Sequence, residues 1–291
     1  MDKLGFIGLG VMGEPMCRNL ARRHRGRVFA HDVKVEPLRR LSVDGVMPAS
    51  SIASLAAAVD VIFLSLPGEA EVRAVGLELS LAARPGQAIV DCSTAPVSLA
   101  RELAAAFTTR GAHFADAPVA RTRQAAIDGT LAFVVGADAF LFHRIEPLLR
   151  AMGSDVIHCG EPGAGQAVKL LNNMVLSATV TALAEALAVA KASGLVEPKT
   201  LFDALAKGSA DSFALRNHGM KSLLPETHPE RAFPVSYMLK DVSYALDFAR
   251  DAGLDLQSAS TIRRLLQEAA SAGFADAYHT AVIEAVRRHR A

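Results

Sequence analysis

Tryptophan is absent, aromatic residues make up only 5% of the chain, and cysteine occurs three times, at Cys17, Cys92 and Cys159. Few aromatics leave no stacking platform for nucleic-acid bases. An odd number of cysteines with no CxxC pair argues against a disulfide framework and fits a reducing cytoplasm. Net charge is scarce as well: 31 Lys+Arg against 30 Asp+Glu leave +1. That balance provides no field to attract nucleic acid or an anionic membrane. The nine histidines form no HExxH-type set, so no metal site is expected. The apolar stretch near the start meets glycines at once and does not read as a signal peptide. The most apolar later segment, 174–192, contains Thr179, Thr181, Glu185 and Lys191. It is read as a buried helix, with no membrane span expected.

What remains is an ordinary globular composition, 51% hydrophobic and 21% charged, with room for one large or two modest domains. In the first half, short β-rich runs at 4–8, 27–31, 59–65, 88–91, 112–115 and 131–135 alternate with helical segments, the first of them at 13–23. Such alternation implies crossover units and a parallel sheet covered on both faces. After Gly165 apolar residues follow a helical period and convincing strands stop. One long helix is predicted over 166–193, ended by Gly194 where a C-terminal glycine belongs. Further helices are predicted over 198–207, 236–251, 258–271 and 276–289. The boundary between the halves falls near Gly163.

Gly8-Leu9-Gly10-Val11-Met12-Gly13 is a G-x-G-x-x-G set between a predicted strand and a predicted helix. Gly8 permits the tight turn, Gly10 lets the backbone approach a pyrophosphate, and Gly13 lets the helix pack close to the strand. The amides of the helix N-terminus, with Val11 and Met12, then face the anion. Asp32 lies 32 − 13 = 19 residues past the last glycine, at the end of the second strand. A carboxylate there accepts hydrogen bonds from adenosine ribose hydroxyls and repels a 2′-phosphate. NAD is therefore favoured over NADP, although Lys34, Arg39 and Arg40 follow. A strand-end aspartate that merely caps a turn would look the same in sequence.

The segment from Gly160 to Asn173 carries the strongest chemical signal. Its glycines release the chain from the sheet, and a helix begins. Lys169 and Asn173 are four residues apart and share a helix face. Desolvation at a domain junction can lower a lysine pKa toward neutrality and suit it to proton transfer. The competing reading is a solvated lysine near a helix start.

At this point the chain resembles the β-hydroxyacid dehydrogenase family, over nearly its whole length and through several motifs in order. Gly5 to Gly13 is similar to the family's cofactor motif, and Asp91-Cys92-Ser93-Thr94 to its D-x-S-T segment. Asp116-Ala117-Pro118-Val119, closed by Gly129-Thr130-Leu131, is similar to its next motif. The glycine–lysine–asparagine stretch is similar to its catalytic helix, and Lys240-Asp241 to its late K-D pair. The resemblance implies an α/β fold in two domains joined by a long helix. Residues 1–163 would form a Rossmann-like NAD(P)-binding domain. Residues 164–291 would form an all-helical substrate and oligomerisation domain, with the active site in the cleft between them. It implies hydride transfer between a nicotinamide and a small anionic hydroxy acid or semialdehyde. Lys169 would be general acid/base, Ser93 and Asn173 substrate ligands, and Leu66, Pro67, Thr94 and Lys240 cofactor contacts.

The chain departs from the family where Ser-Gly-Gly usually grips the substrate carboxylate. Here Ala120-Arg121-Thr122 stands, followed by Arg123. A guanidinium fork suits carboxylate, phosphate or sulfonate, so Arg121 and Thr122 are taken as substrate-binding candidates. One or both arginines could instead be surface salt-bridge residues. An Arg-Thr pair also occurs in sulfolactaldehyde reductases, but those have serine where Leu176 stands, so that pocket is not reproduced. Two rival functions remain at this stage: an imine reductase of the same fold, and a non-catalytic NAD(P)-binding protein. The retained lysine counts against both. A helix as apolar as 166–193 needs partners on several sides, which points to a homodimer or homotetramer.

Overall fold

A computed structural model of the protein describes residues 2–230 and 232–289. Its contacts divide the chain into two compact units, Met1–Lys169 and Leu170–Ala291. The first opens with β1 (Leu4–Ile7), α1 (Gly13–Arg23), β2 (Val28–His31), α2 (Val35–Leu41), β3 (Met47–Pro48), α3 (Ile52–Ala58) and β4 (Val61–Leu64). It continues with α4 (Glu69–Ala82), β5 (Ala88–Asp91), α5 (Val97–Thr108) and β6 (His113–Asp116). These six strands are parallel, in the order β3-β2-β1-β4-β5-β6. Successive residues in a strand face opposite sides. Leu4, Phe6, Phe63 and Val90 therefore join one core, while Ile7, Ile62, Leu64 and Ile89 join the other. Helices cover both faces, so the strands carry almost no polar residues.

Register places the functional edge. Ile7 stands opposite His31 and Leu64, Leu64 opposite Asp91, and Asp91 opposite Asp116. The loops after β1, β4, β5 and β6 thus leave the same edge of the sheet, where α/β sheets bind ligands. Beyond β6 come β7 (Val119–Ala120), α6 (Arg123–Asp128), β8 (Leu131–Gly136), α7 (Ala139–Leu149) and β9 (Gly153–Gly160). β8 runs antiparallel to β6 and β7, and β9 adds to it in parallel. β9 carries no strand signature in the sequence. Gly153-Ser154-Asp155-Val156-Ile157-His158-Cys159-Gly160 is a largely exposed edge strand, so it lacks the apolar run that marks buried strands.

α8 (Ala164–Ser193) is a single helix of 30 residues whose opening residues, 164–169, belong to the first unit. It is long and apolar enough to cross a membrane by length and composition alone. Val180, Leu183, Ala184 and Leu187 are buried in the core of the second unit, as in the core helix of a globular domain. That unit continues with α9 (Pro198–Leu205), a wide helical segment Leu215–Leu223, α10 (Val235–Asp251), α11 (Gln257–Ala269), a tight turn of helix His279–Val282 and α12 (Ile283–Val286). The continuous helix expected over 276–289 is not formed. The amides of Val235 and Ser236, at the start of α10, donate to Ala277 and Ala275 carbonyls, and His279 N donates to Phe233 O. This backbone is paired across the fold before a helix can begin.

The same region holds a buried polar cluster. His218 Nδ1 meets the Tyr278 hydroxyl at 2.7 Å, and Thr280 Oγ1 lies 2.6 Å from Ser222 Oγ and 2.8 Å from His228 Nδ1. Burial lowers the pKa of His218 to about 4 and, with the neighbouring His218 and His228 adding to it, that of His279 to about 3. Both values lie below the unfolded value near 6.5. The folded state therefore binds fewer protons there, and stability from these groups is full above pH 6.5 and falls as pH drops toward 4 and 3. Asp116 acts in the opposite sense, since burial raises its pKa to about 6. Its contribution is full below pH 3.8 and is lost as pH rises through 6. We expect Tm to fall steeply below pH 5, and His279→Phe to flatten that fall. An unchanged acid limb in this variant would remove the cluster as its source.

Candidate active site

The turn after β1 is built for a close neighbour. Gly8 has φ +90, and a Cβ there would lie 2.3 Å from Ser65 O. A Cβ on Gly13 would lie 2.0 Å from Gly8 O. Protein packing thus demands both outer glycines. Gly10 differs: a Cβ there would meet nothing within 4 Å. Its bareness leaves open space beside the N-terminus of α1, where an anionic group fits against backbone amides. Val11 is exposed and Met12 half-buried.

Asp32, directly after β2, accepts hydrogen bonds from Leu9 N at 2.5 Å and Lys34 N at 2.7 Å. The carboxylate therefore fastens the glycine turn to the next strand end while remaining half-buried beside it. Three arginines of the first 40 residues are paired with carboxylates. Arg40 makes a two-pronged contact with Glu14 at 2.9 and 2.7 Å. Arg18 reaches Glu14 at 3.1 Å and Asp44 at 2.9 Å, and Arg22 reaches Asp44 at 2.8 Å.

Two further loops complete the edge within the first unit. After β4, Leu66 N donates to Ser93 Oγ at 2.8 Å, so the loops after β4 and β5 are linked through the Ser93 hydroxyl. Ser93 N donates to Asp91 Oδ1 at 2.9 Å, which turns the chain at the strand end. Ser93 is buried, Thr94 half-buried and Pro67 exposed. The start of α8 lies against this loop. Gln166 is buried; its Nε2 donates to Ser93 O at 2.8 Å and its Oε1 accepts from Ala95 N at 3.1 Å. Asp116, at the end of β6, accepts from Gly163 N and Gln166 N, both at 2.6 Å. It caps the helix from 47 residues away. Glycine at 165 is required here, since a Cβ would lie 2.5 Å from Val134 O and 2.7 Å from Asp116 O. Lys169 follows on the same helix, half-buried. Asp116 and Gln166 carry no local signal in the sequence, because their role depends on contacts far along the chain.

In the second unit, Asn173 is buried and its Nδ2 donates to Asp241 Oδ2 at 2.6 Å. Asp241 is buried too, and Lys240 Nζ lies 3.3 Å from its Oδ1. The Lys240 ammonium stands 5.5 Å from the Tyr237 ring centre and 5.4 Å from that of Tyr244. Asp241, read from the sequence only as the neighbour of Lys240, thus orients the Asn173 amide.

Arg121 is placed differently from the expectation that it presents an open fork to an anion. Its Nη1 donates to Thr130 O at 2.6 Å and Ser154 Oγ at 2.7 Å, and its Nη2 to Asp155 Oδ2 at 2.6 Å. The guanidinium is therefore engaged along the β8–β9 edge, with side chains of Arg121 and Asp155 43% and 50% exposed. The physical reason lies in β9, whose polar edge supplies the acceptors. Arg121 also has φ +84, a left-handed backbone that favours glycine. Thr122 Oγ1 caps α6 by accepting from Ala125 N at 3.4 Å. Arg123, the first residue of α6, is exposed.

Among the described residues no group of three or more His, Cys, Asp or Glu could hold a metal ion. Comparison with known proteins gives the site its family. Residues 3–160 match the family described as NAD binding domain of 6-phosphogluconate dehydrogenase. Residues 163–286 match that described as NAD-binding of NADP-dependent 3-hydroxyisobutyrate dehydrogenase. The chain is 32% identical to 2-(hydroxymethyl)glutarate dehydrogenase of Eubacterium barkeri, over 97% of this chain and 94% of that one. It is 31% identical to 2-hydroxy-3-oxopropionate reductase of Escherichia coli, over 98% and 97%. A solved structure of Mycobacterium tuberculosis 3-hydroxyisobutyrate dehydrogenase with L-serine superposes with a TM-score of 0.91 at 32% identity, covering 99% of each chain. With a parallel sheet of this order, its glycine turn and the helical second unit, the chain belongs to the β-hydroxyacid dehydrogenase family and is an NAD(P)-dependent hydroxyacid dehydrogenase.

Proposed function

We propose that the protein interconverts a small anionic hydroxy acid and its semialdehyde or oxo acid, with NAD as cofactor and Lys169 as general acid/base. The observation that carries this reading is the fastening of the helix start before Lys169 to the loop bearing Ser93 and Thr94. The nicotinamide, when bound, supplies or takes the hydride. Gly8, Gly10, Val11, Met12 and Gly13 receive the pyrophosphate, and Asp32 the ribose hydroxyls. Leu66, Pro67 and Lys240 contact the cofactor, and Thr94 its nicotinamide side. Lys169 Nζ gives a proton to the carbonyl oxygen during reduction and removes it from the hydroxyl during oxidation. Ser93 Oγ accepts from Leu66 N, so its own proton is directed elsewhere and serves as a donor to the substrate. Asn173, oriented by Asp241, and Thr122 complete the substrate contacts. NAD is favoured over NADP because the Asp32 carboxylate repels a 2′-phosphate, and Arg40, which follows it, is engaged by Glu14.

The direct test is NADH consumption with 2-hydroxy-3-oxopropionate, methylmalonate semialdehyde and succinate semialdehyde, and with cyclic imines as a control. Turnover of one or more acids is expected. Response to imines alone, or to nothing, would sink this reading. Arg121 is left outside the acid-gripping set. An exposed ion pair contributes only about 0–1 kcal/mol, so Arg121→Ala is expected to change the acid KM by less than about 5-fold. A larger rise in KM, with kcat intact, would mean that the fork leaves Asp155 for the substrate. The exposed apolar side chains of Val175, Val189 and Leu195 support assembly as a homodimer or homotetramer. A monomeric mass by light scattering would contradict it.

A further inference from the structure

Gln166 is buried completely, yet it is a polar side chain in the first turn of a mostly apolar helix. A carboxamide in such a place costs stability unless both its ends are paired. Both are. Nε2 donates to Ser93 O at 2.8 Å and Oε1 accepts from Ala95 N at 3.1 Å. These two groups flank Thr94, so the amide spans the middle of the loop between β5 and α5. Only a group with a donor and an acceptor side by side, at this length, makes both bonds. The backbone of Gln166 is held as well, through its N–H to Asp116 Oδ2 at 2.6 Å. One residue therefore ties the substrate-side loop, the end of β6 and the start of α8 together. Lys169 is the i+3 neighbour of Gln166 and lies over the same side of the helix.

We propose that Gln166 is a positioning residue: its carboxamide sets the distance between the Ser93–Ala95 loop and the helix turn that carries Lys169. The proposal rests on the reading of Lys169 as the acid/base. Hydride and proton must reach adjoining atoms of one substrate, so the loop that holds the substrate and the helix that holds the lysine have to keep one spacing. Helix starts fray when nothing holds them, because their first amides lack partners within the helix. Asp116 supplies partners for two of those amides. That cap alone leaves the loop free to move against the helix, and the Gln166 amide removes that freedom. A displacement of about 1 Å at reacting groups can cost on the order of 10²-fold in rate. Loss of the amide should therefore be felt in kcat more than in cofactor binding.

The test compares four proteins, wild type, Gln166→Met, Lys169→Ala and the double variant, using NADH and the panel acid of highest kcat/KM. Methionine keeps the length and apolar fit and loses both hydrogen bonds. In Gln166→Met we expect kcat to fall about 10- to 100-fold, with NADH affinity by fluorescence titration within about threefold. In the Lys169→Ala background the same change should cost less than about twofold, because the group it positions is gone. Equal losses in both backgrounds, or wild-type kcat in folded Gln166→Met, would overturn the proposal. Wild-type kcat in Gln166→Met beside a crippled Lys169→Ala sinks the positioning role alone. Full turnover in Lys169→Ala sinks the acid/base reading, and the proposal with it. Should Gln166→Met fail to fold, Gln166→Glu keeps the length and the acceptor for Ala95 N but sets an oxygen against Ser93 O. It is expected to show the same pattern, and wild-type kcat there would overturn the proposal equally.

Discussion

Lys169→Ala is expected to lower kcat by about 10²-fold or more, the usual scale for a lost general acid/base, while NADH affinity changes little. A carbonyl oxygen that receives hydride at its carbon becomes an alkoxide, which is a poor product unless a proton arrives with it. The ammonium of a lysine can deliver that proton and, once neutral, take it back in the oxidative direction. Lys169 stands at the right level of the chain for this task. It follows the capped start of α8, and Gln166, three residues earlier, holds the loop bearing Ser93 and Thr94. Lys169→Arg should not rescue turnover, because guanidinium keeps its proton near neutral pH. Steady-state kinetics and a fluorescence titration of NADH read the two effects separately. Wild-type kcat in the alanine variant would remove Lys169 from the chemistry. A parallel collapse of NADH affinity would assign the loss to cofactor binding instead.

The second large effect is expected at Asp32. Its carboxylate accepts from Leu9 N and Lys34 N, so it is part of the glycine turn's own scaffold as well as the proposed ribose partner. Hydrogen bonds to a charged acceptor contribute about 1.5–3 kcal/mol each. Asp32→Ala should therefore weaken NADH binding about 10- to 100-fold. NADPH should lose less, because the variant also removes the repulsion of a 2′-phosphate. The ratio of kcat/KM for NADH over NADPH is expected to exceed one in the wild type and to narrow in the variant. A wild type that prefers NADPH would show that Lys34 or Arg39 governs the pocket. An unchanged ratio in the variant would separate Asp32 from cofactor choice.

What was legible in the sequence is what local rules decide. Phe6, Ile62 and Ile89 sit in short apolar runs, and such runs become buried parallel strands because helices cover both faces. Gly8 and Gly13 mark their turn, since no other side chain fits against Ser65 O and Gly8 O. The 30-residue α8 follows from its periodicity and the glycine at 194. The places of Asp32 directly after β2 and of Lys169 near the start of α8 follow from spacing to these features.

The tertiary structure decided the rest, wherever a residue's partner lies far along the chain. Helix α8 has no serine, threonine or aspartate just before it, because Asp116 caps it from another strand. Gln166 reads as a neutral helix residue until the loop at 93–95 is seen to lie against it. Arg121 reads as an anion-binding fork until β9 brings Asp155 and Ser154 alongside and engages it. β9 itself escapes notice because an exposed edge strand needs no apolar alternation. The helix expected over 276–289 fails because the amides at the start of α10 take the carbonyls of Ala275 and Ala277. Sequence periodicity reports which face of an element is buried. It carries no information about which polar group from a distant element will satisfy a helix-start amide or a guanidinium, and in this protein such long-range pairings hold the start of α8 and the Arg121 fork.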